Sequence, residues 1–457
     1  MPSDLVVRRA RLGSDRGQIV DISITSGTIA EIGSQVRDGT FEIDAGGALV
    51  TPGGVDPHCH MAQISSTGVS TADDIRSGST SAINGGTTTV AAFAVQHRGT
   101  EVRDSVSAMI DRVGREAAAD VALHLILTEW SSSIEDELDW VVDRGITSLK
   151  IFTTYDRLRL APESVIGAVE SAGSRGMAIM IHAEHDGMIT DGRSRATAQG
   201  LHDAAGHQLS HTRQAERAGV AEALAIGEYT GVPIYLVHIS TEGSLSEIRL
   251  ARSRGADVTV ETCPHYLFLD EGLLVGDLST TAAYMSSPPL RGADDRQALW
   301  AGLSNGEIDI VASDHAPYRL DGGKLPHGEA TVFTEVANGM PGVEMRMPLM
   351  MSAVVEGRLS LDRFLDVCCS TPASSLGVAP QKGSLLVGSD ADLVVWDLET
   401  EREVRHEDLH DGVDYTPYEG LTVAAWPETI IHRGQLIEPG SGSRSGRFLA
   451  RIPPDPG

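Results

Sequence analysis

At 457 residues, 41% of them apolar, the chain can fill one barrel-sized core with a smaller unit beside it, and its composition is that of a folded protein. A formal net charge of −28 excludes binding to nucleic acid or to an anionic membrane through bulk electrostatics and suits a soluble protein with a small-molecule partner. The opening residues Met1 to Val7 show no basic stretch leading into a long apolar one, no run of about 18 apolar residues occurs, and the expected location is the cytoplasm. Four scattered cysteines, two of them the neighbours Cys368 and Cys369, make no disulfide framework and are expected as packing residues in a reducing compartment.

Residues 1–50 read as short antiparallel strands and hairpins, among them Leu5 to Val7, Asp21 to Ile24 and Thr28 to Ile32, broken by Gly27 and Gly33. From Thr51 the pattern changes to apolar, β-branched runs separated by stretches of helical periodicity. Eight such runs occur: Gly54 to His60, Thr87 to Ala94, Val121 to Leu127, Thr147 to Thr153, Ala178 to Ala183, Ile234 to Ser240, Val258 to Cys263 and Ile308 to Asp314. Between them, Val106, Met109, Ile110 and Val113 fall on one helical face, as do Val165, Ile166 and Val169, while Gly145, Gly176 and Gly255 sit where helices should end. Eight strands alternating with helices predict an α/β fold, a closed (β/α)8 TIM barrel with its active site at the C-terminal strand ends. The longer connections, residues 186–232 and 265–306, are expected to carry substrate loops or oligomer contacts. A helical stretch from Pro348 to Leu376 follows, and then strands and turns resume from Lys382 to Trp396. Neither terminal segment can fold alone, so residues 1–50 and 378–457 are expected to form one small β-sandwich beside a barrel of residues 51–377, with a mobile Gly/Ser-rich tail after Pro439.

Lys150 stands inside the apolar run Ser148 to Phe152, with Tyr155 five residues on. A lysine there ordinarily points outward, because burying an unpaired ammonium is costly. Histidines on comparable runs argue for a different role. His58 and His60 flank Cys59 near the end of the first run, so that alternation turns both imidazoles to one face and the thiol to the other. The fifth run carries His182 near its end and the sixth His238, and the eighth ends in Asp314. Four histidines, a lysine and an aspartate thus converge on one barrel rim, a set that fits two divalent ions, zinc first, with manganese or cobalt also acceptable to imidazole. Facing two such ions, Lys150 could lose its proton and take up carbon dioxide as a bridging carbamate. Asp314 could also accept a proton from a metal-activated water and pass it to a leaving nitrogen.

The chain resembles the amidohydrolase superfamily and, within it, the dihydropyrimidinase/hydantoinase group. Thr51 to His60 is similar to the group's first metal signature and Ser148 to Phe152 to its carboxylated-lysine strand. Glu261 to Leu267, Ser287 to Arg291, Ser313 to His315, Asn338 to Glu344 and Gly388 to Asp392 follow in the group's order. The resemblance implies that His58, His60 and Asp314 bind one metal, His182 and His238 the second, and carboxylated Lys150 both. It further implies that Tyr155 holds the oxyanion and that Ser287 and Asn338 bind the ring through main-chain groups. The resemblance also implies an oligomer, since relatives are commonly tetramers built from dimers, and a homodimer or homotetramer is expected. His185 departs from the asparagine many relatives carry after the Ala-Glu pair, and the segment from Asp314 to Asn338 is slightly longer than usual.

Relatives that open dihydroorotate carry an arginine two residues after the His-x-His pair, and Ala62 stands there in this chain. The expected substrates are therefore neutral cyclic ureides or imides such as hydantoins and dihydropyrimidines, opened to N-carbamoyl amino acids, with allantoin as an alternative. Met61, Ile64, Phe93 and Leu158 are expected around the exocyclic substituent. Two other readings stay open, a linear-amide hydrolase and a non-catalytic interaction protein of the same fold, the second disfavoured because all six ligand positions are filled.

Overall fold

A computed structural model describes residues 3–12, 18–442 and 444–452. Eight parallel strands, Gly54–Asp56, Thr87–Val95, Asp120–Ile126, Ser148–Phe152, Ala178–His182, Ile234–Leu236, Val258–Thr262 and Ile310–Val311, pair in sequence order. The ring closes where Cys59 bridges His315 in parallel, with the His60 N–H donating to the His315 carbonyl at 2.7 Å. Strands so placed are covered on both faces, which is why Thr87–Val95 is buried along nearly its whole length.

Helices fill the crossovers and their limits are set by local chemistry. Ser131, Thr212 and Thr241 accept from main-chain N–H groups three residues on and so start the helices Ser132–Asp143, Arg213–Thr230 and Glu242–Ser253. Gly145, Gly176 and Gly255, at φ of 82°, 69° and 96°, turn the chain out of its helices in the left-handed conformation that glycine adopts freely. Val165 and Val169 face the core as expected, whereas Ile166 is 40% exposed, since adjacent residues diverge by about 100° around a helix.

The terminal segments share one mixed sheet of eight strands. Ser3–Leu12 is antiparallel to Ile19–Thr25 but parallel to both Gly39–Asp44 and Leu49–Pro52, so the wholly antiparallel expectation fails once the chain crosses over its own hairpin. Leu49–Pro52 then pairs antiparallel with Leu393–Asp397, which pairs with Trp426–His432. Leu5, Val7, Ile22, Ile24, Val50, Leu393 and Val395 form this sheet's own core.

The tail expected to be mobile is seated in its described part. Val121 N–H donates to the Arg447 carbonyl and Leu449 N–H to the Val121 carbonyl, each at 2.9 Å. Leu449 and the Arg451 side chain are buried at the N-terminal end of the barrel, where the Arg451 guanidinium donates to the Leu123 carbonyl and to Ser148 Oγ. Ser443 and residues 453–457 lie outside the described residues.

Candidate active site

At the opposite end of the barrel, the first strand stops at Asp56 and delivers His58 and His60 just beyond it. Both present Nε2 to the same Asp314 oxygen, at 3.2 and 3.3 Å. Their Nδ1 atoms are engaged behind, His58 with Glu261 Oε1 at 2.8 Å and His60 with Gln63 Oε1 at 2.7 Å. Such backing fixes each ring's tautomer and leaves Nε2 as a free lone pair, which is what a metal ligand needs. Lys150, fully buried, places Nζ 3.2 Å from His58 Nε2.

The second imidazole pair meets the first across the strand ends. His182 Nδ1 lies 2.9 Å from His238 Nε2. His182 is anchored through Nε2 to Glu184 Oε2 at 2.9 Å, and Glu184 in turn accepts from His211 Nδ1 at 2.9 Å. The His238 main-chain N–H donates to Glu261 at 3.0 Å, so one carboxylate steadies ligand candidates from two strands. His238, Asp314 and Tyr155 all have left-handed backbones, φ 43°, 46° and 73°. That region is strained for residues with a side chain, and here it aims three functional groups inward.

Burial governs the electrostatics. It holds the His58, His182 and His238 imidazoles below the ordinary histidine range, hence neutral, as metal ligation requires. It lowers the Lys150 amine to about 8. Glu261 is pushed up to about 7, burial outweighing its Tyr235 and Lys150 neighbours. The Tyr155 phenol is driven well above its ordinary value by burial and stays a proton donor.

His58, His60, Lys150, Tyr155, His182, His238, Ser287, Asp314 and Asn338 all line one cleft of about 600 Å³, open mouth included. Three of them bring buried polar atoms that lack a partner among the described residues: Tyr155 Oη, Ser287 Oγ and Asn338 Oδ1. Of the residues expected at an exocyclic pocket only Leu158 lines the cleft, with Gln63, Ser65, Ser66 and Phe152. Met61 is buried against Gly78, Ile64 is 46% exposed, and Phe93 lies beneath the ligand rings, stacked on His60 at 4.6 Å. The loop after the first strand has no periodicity from which to read an inward face, so its polar residues took the places assigned to apolar ones. Glu261 and Glu184 lay within the sequence motifs but were assigned no role. A carboxylate inside the apolar strand Val258–Thr262 is the same signal that singled out Lys150. His185 caps the helix Asp186–Ala198, Nδ1 accepting from Met188 N at 3.2 Å, a task asparagine also performs.

The model of the Amidohydrolase family matches residues 49–437. A D-hydantoinase of Ralstonia pickettii is 35% identical over 454 residues, covering 98% of this chain and 99% of its own. A solved D-hydantoinase structure superposes with a TM-score of 0.94 at 34% identity, covering 98% of this chain and 99% of that one. The dihydropyrimidinase of Brevibacillus agri NCHU1002 superposes with a TM-score of 0.93 at 31% identity and 98% coverage of both chains.

Proposed function

The chain belongs to the amidohydrolase family, and from that premise we propose that it hydrolyses the ring amide of hydantoins or dihydropyrimidines to give N-carbamoyl amino acids. The observation that carries this reading is the meeting, in one cleft, of two imidazole pairs with three buried polar atoms whose hydrogen bonds a cyclic amide would complete. Ala62 supports neutral rings over carboxylated ones, since no guanidinium occupies that place.

The family implies a pair of divalent metal ions, and the donors suit one: His58, His60 and Asp314 offer ligand atoms all within 4.8 Å of one another. In this reading these three residues would hold one ion and His182 and His238 the other, while Lys150, as the carbamate formed with carbon dioxide, would serve both. An amine lowered to about 8 supports that step, because the neutral form that reacts with carbon dioxide is accessible near neutral pH. Zinc is the first choice, with manganese or cobalt suited to the same imidazoles. When bound, the ions supply an activated hydroxide and polarise the ring carbonyl.

Tyr155 donates its Oη–H to the carbonyl oxygen as negative charge develops there. Asp314 accepts the proton of the attacking water and returns it to the departing ring nitrogen, so that one water is added across the broken C–N bond. Ser287 and Asn338 hold the ring through their main-chain groups. Turnover by zinc-supplemented protein of 5-substituted hydantoins, dihydrouracil, allantoin and dihydroorotate, with an N-acyl amino acid as control, tests the reading. Hydantoins or dihydrouracil should be opened and dihydroorotate spared; no turnover with two metals bound would overturn the substrate assignment.

The same reading divides the chain into a barrel of residues 51–377 and a β unit of residues 1–50 and 378–457, supported by the pairing of Leu49–Pro52 with Leu393–Asp397. A homodimer or homotetramer is proposed as well, with Tyr229, 75% exposed, among the apolar side chains such an interface could cover. Cytoplasmic residence is in keeping with the described helices, none of which is long and apolar enough to cross a membrane.

A further inference from the structure

The carbonyls around Ser287 are used unevenly. The Met285 carbonyl accepts from Lys324 Nζ and from the Gly339 N–H, both at 2.9 Å. The Ser286 carbonyl accepts from His207 Nε2 at 2.7 Å. The Pro288 carbonyl accepts from Tyr266 Oη at 2.7 Å and from Ser286 Oγ at 2.9 Å. Among the described residues, the Ser287 and Asn338 main chains enter no hydrogen bond at all. The three carbonyls around Ser287 are occupied, while Ser287 and Asn338, both of which line the cleft, keep their main-chain groups open.

Lys324 is an unusual residue to find in this task. It is fully buried, it also donates to the Ala282 carbonyl at 2.7 Å, and among the described residues no carboxylate pairs with it. A buried lysine without a counter-charge is costly unless its donors are needed where they are. Its turn is pinned from two sides, by Lys324 N–H to the Arg319 carbonyl at 2.7 Å and by Leu320 N–H to Asp414 Oδ1 at 2.7 Å. Burial alone holds its pKa well below the ordinary lysine value, and as amine or ammonium it keeps the two N–H groups that the carbonyls take up.

We infer that Lys324 and His207 are positioning residues of the ring site: by engaging the Met285 and Ser286 carbonyls they hold the Ser287 main chain open toward the cyclic amide. Through the shared Met285 carbonyl, Lys324 also sets the spacing between Ser287 and Asn338, because Gly339 is tied to the same oxygen. The inference rests on the proposed reading of Ser287 and Asn338 as ring contacts.

Lys324→Met removes both donors while keeping all but the last atom of the side chain's length. In zinc-loaded protein acting on hydantoin or dihydrouracil, KM should rise by about tenfold with kcat changed by less than about threefold, the mark of lost ground-state binding. Bound metal and melting temperature, measured on the same samples, should stay near the wild-type values. His207→Leu should raise KM in the same way, and His207→Gln, which restores an N–H donor, should return it to within about twofold. An unchanged KM in folded, metal-replete Lys324→Met and His207→Leu overturns this inference and leaves the proposed function standing. A fall in kcat that tracks lost metal or lost folded protein assigns both residues to the fold alone and also overturns it. If Lys324→Met does not accumulate as folded protein, the His207 pair decides, equal KM values overturning the inference. Wild-type protein that holds two metals yet opens no cyclic amide removes the ring-site reading and this inference with it.

Discussion

Lys150 gains its meaning from its neighbours. Fully buried and 3.2 Å from His58 Nε2, it lies near Asp314 and Glu261 without a direct ion pair to either, a placement a structural lysine would not favour. Lys150→Ala should lose most bound metal and most activity together, metal counted by atomic absorption; a fully active variant would sink the carbamate assignment. Glu261 acts one step back, accepting from His58, from the His238 main chain and from Tyr235 Oη at 2.6 Å. Glu261→Gln keeps the shape but weakens this hold, and zinc affinity measured by chelator competition should fall by about 10–100-fold. An affinity equal to wild type would reduce Glu261 to a packing residue.

The element scale shows what could be read from residue order and what could not. All eight barrel strands were legible, because β-branched runs covered on both faces look different from the helices between them. Their ends were not. The runs carrying His238 and Asp314 predict strands to residues 240 and 314, whereas the regular pairing stops at Leu236 and Val311. The candidate site residues leave the ladder, since a left-handed backbone at His238 and Asp314 cannot continue it. Convergence of the ligand candidates on one rim was legible from their position at strand ends, while their carboxylate backing and the polar wall of Gln63, Ser65 and Ser66 depended on loop conformations that no periodicity announces. The tail misled for the opposite reason: its Gly/Ser content suggested mobility, yet Leu449 and Arg451 are buried against the barrel floor. Ending the chain at Pro439 would strip the Leu123 carbonyl and Ser148 Oγ of their donor and uncover apolar surface. Urea unfolding should show a loss of about 2–5 kcal/mol; an unaltered midpoint would mean the tail merely rests there.

At the scale of the whole molecule, barrel and terminal sheet are joined by a buried charge cluster. Lys382 Nζ lies 2.6 Å from Asp120, 2.9 Å from Asp390 and 2.8 Å from Asp392, with Arg447 also within 3.5 Å of Asp120. Burial would raise Asp120, but His432 and Lys382 hold it below its ordinary value; burial would lower Lys382, but Asp392 and Asp120 hold it above. A depressed carboxylate stabilises the fold above its unfolded value of about 3.9 and ceases to do so as pH falls further. A raised lysine stabilises below its unfolded value of about 10.4 and loses that contribution as pH climbs beyond it. The cluster's own contribution should therefore be constant between these limits and drop on both sides, read as the difference between wild type and a cluster variant at each pH. Lys382→Met, which strands three carboxylates, should cost about 3–5 kcal/mol at neutral pH. Urea midpoints across pH check both statements, and a variant as stable as wild type would show the cluster to be neutral in sum.

The sheet that this cluster fastens also constrains how the molecule comes into being. Trp396 Nε1 donates to Thr51 Oγ1 at 2.9 Å across a sequence separation of 345, and the strand Leu49–Pro52 waits for Leu393–Asp397 as its partner. During synthesis the first strands must therefore stay unpaired on that edge until the entire barrel has left the ribosome. Such late, long-range pairing is slow and exposes strand edges to other chains. Expression at lower temperature or with a chaperone that shields nascent strands should raise the yield of soluble protein more than any change made within the barrel.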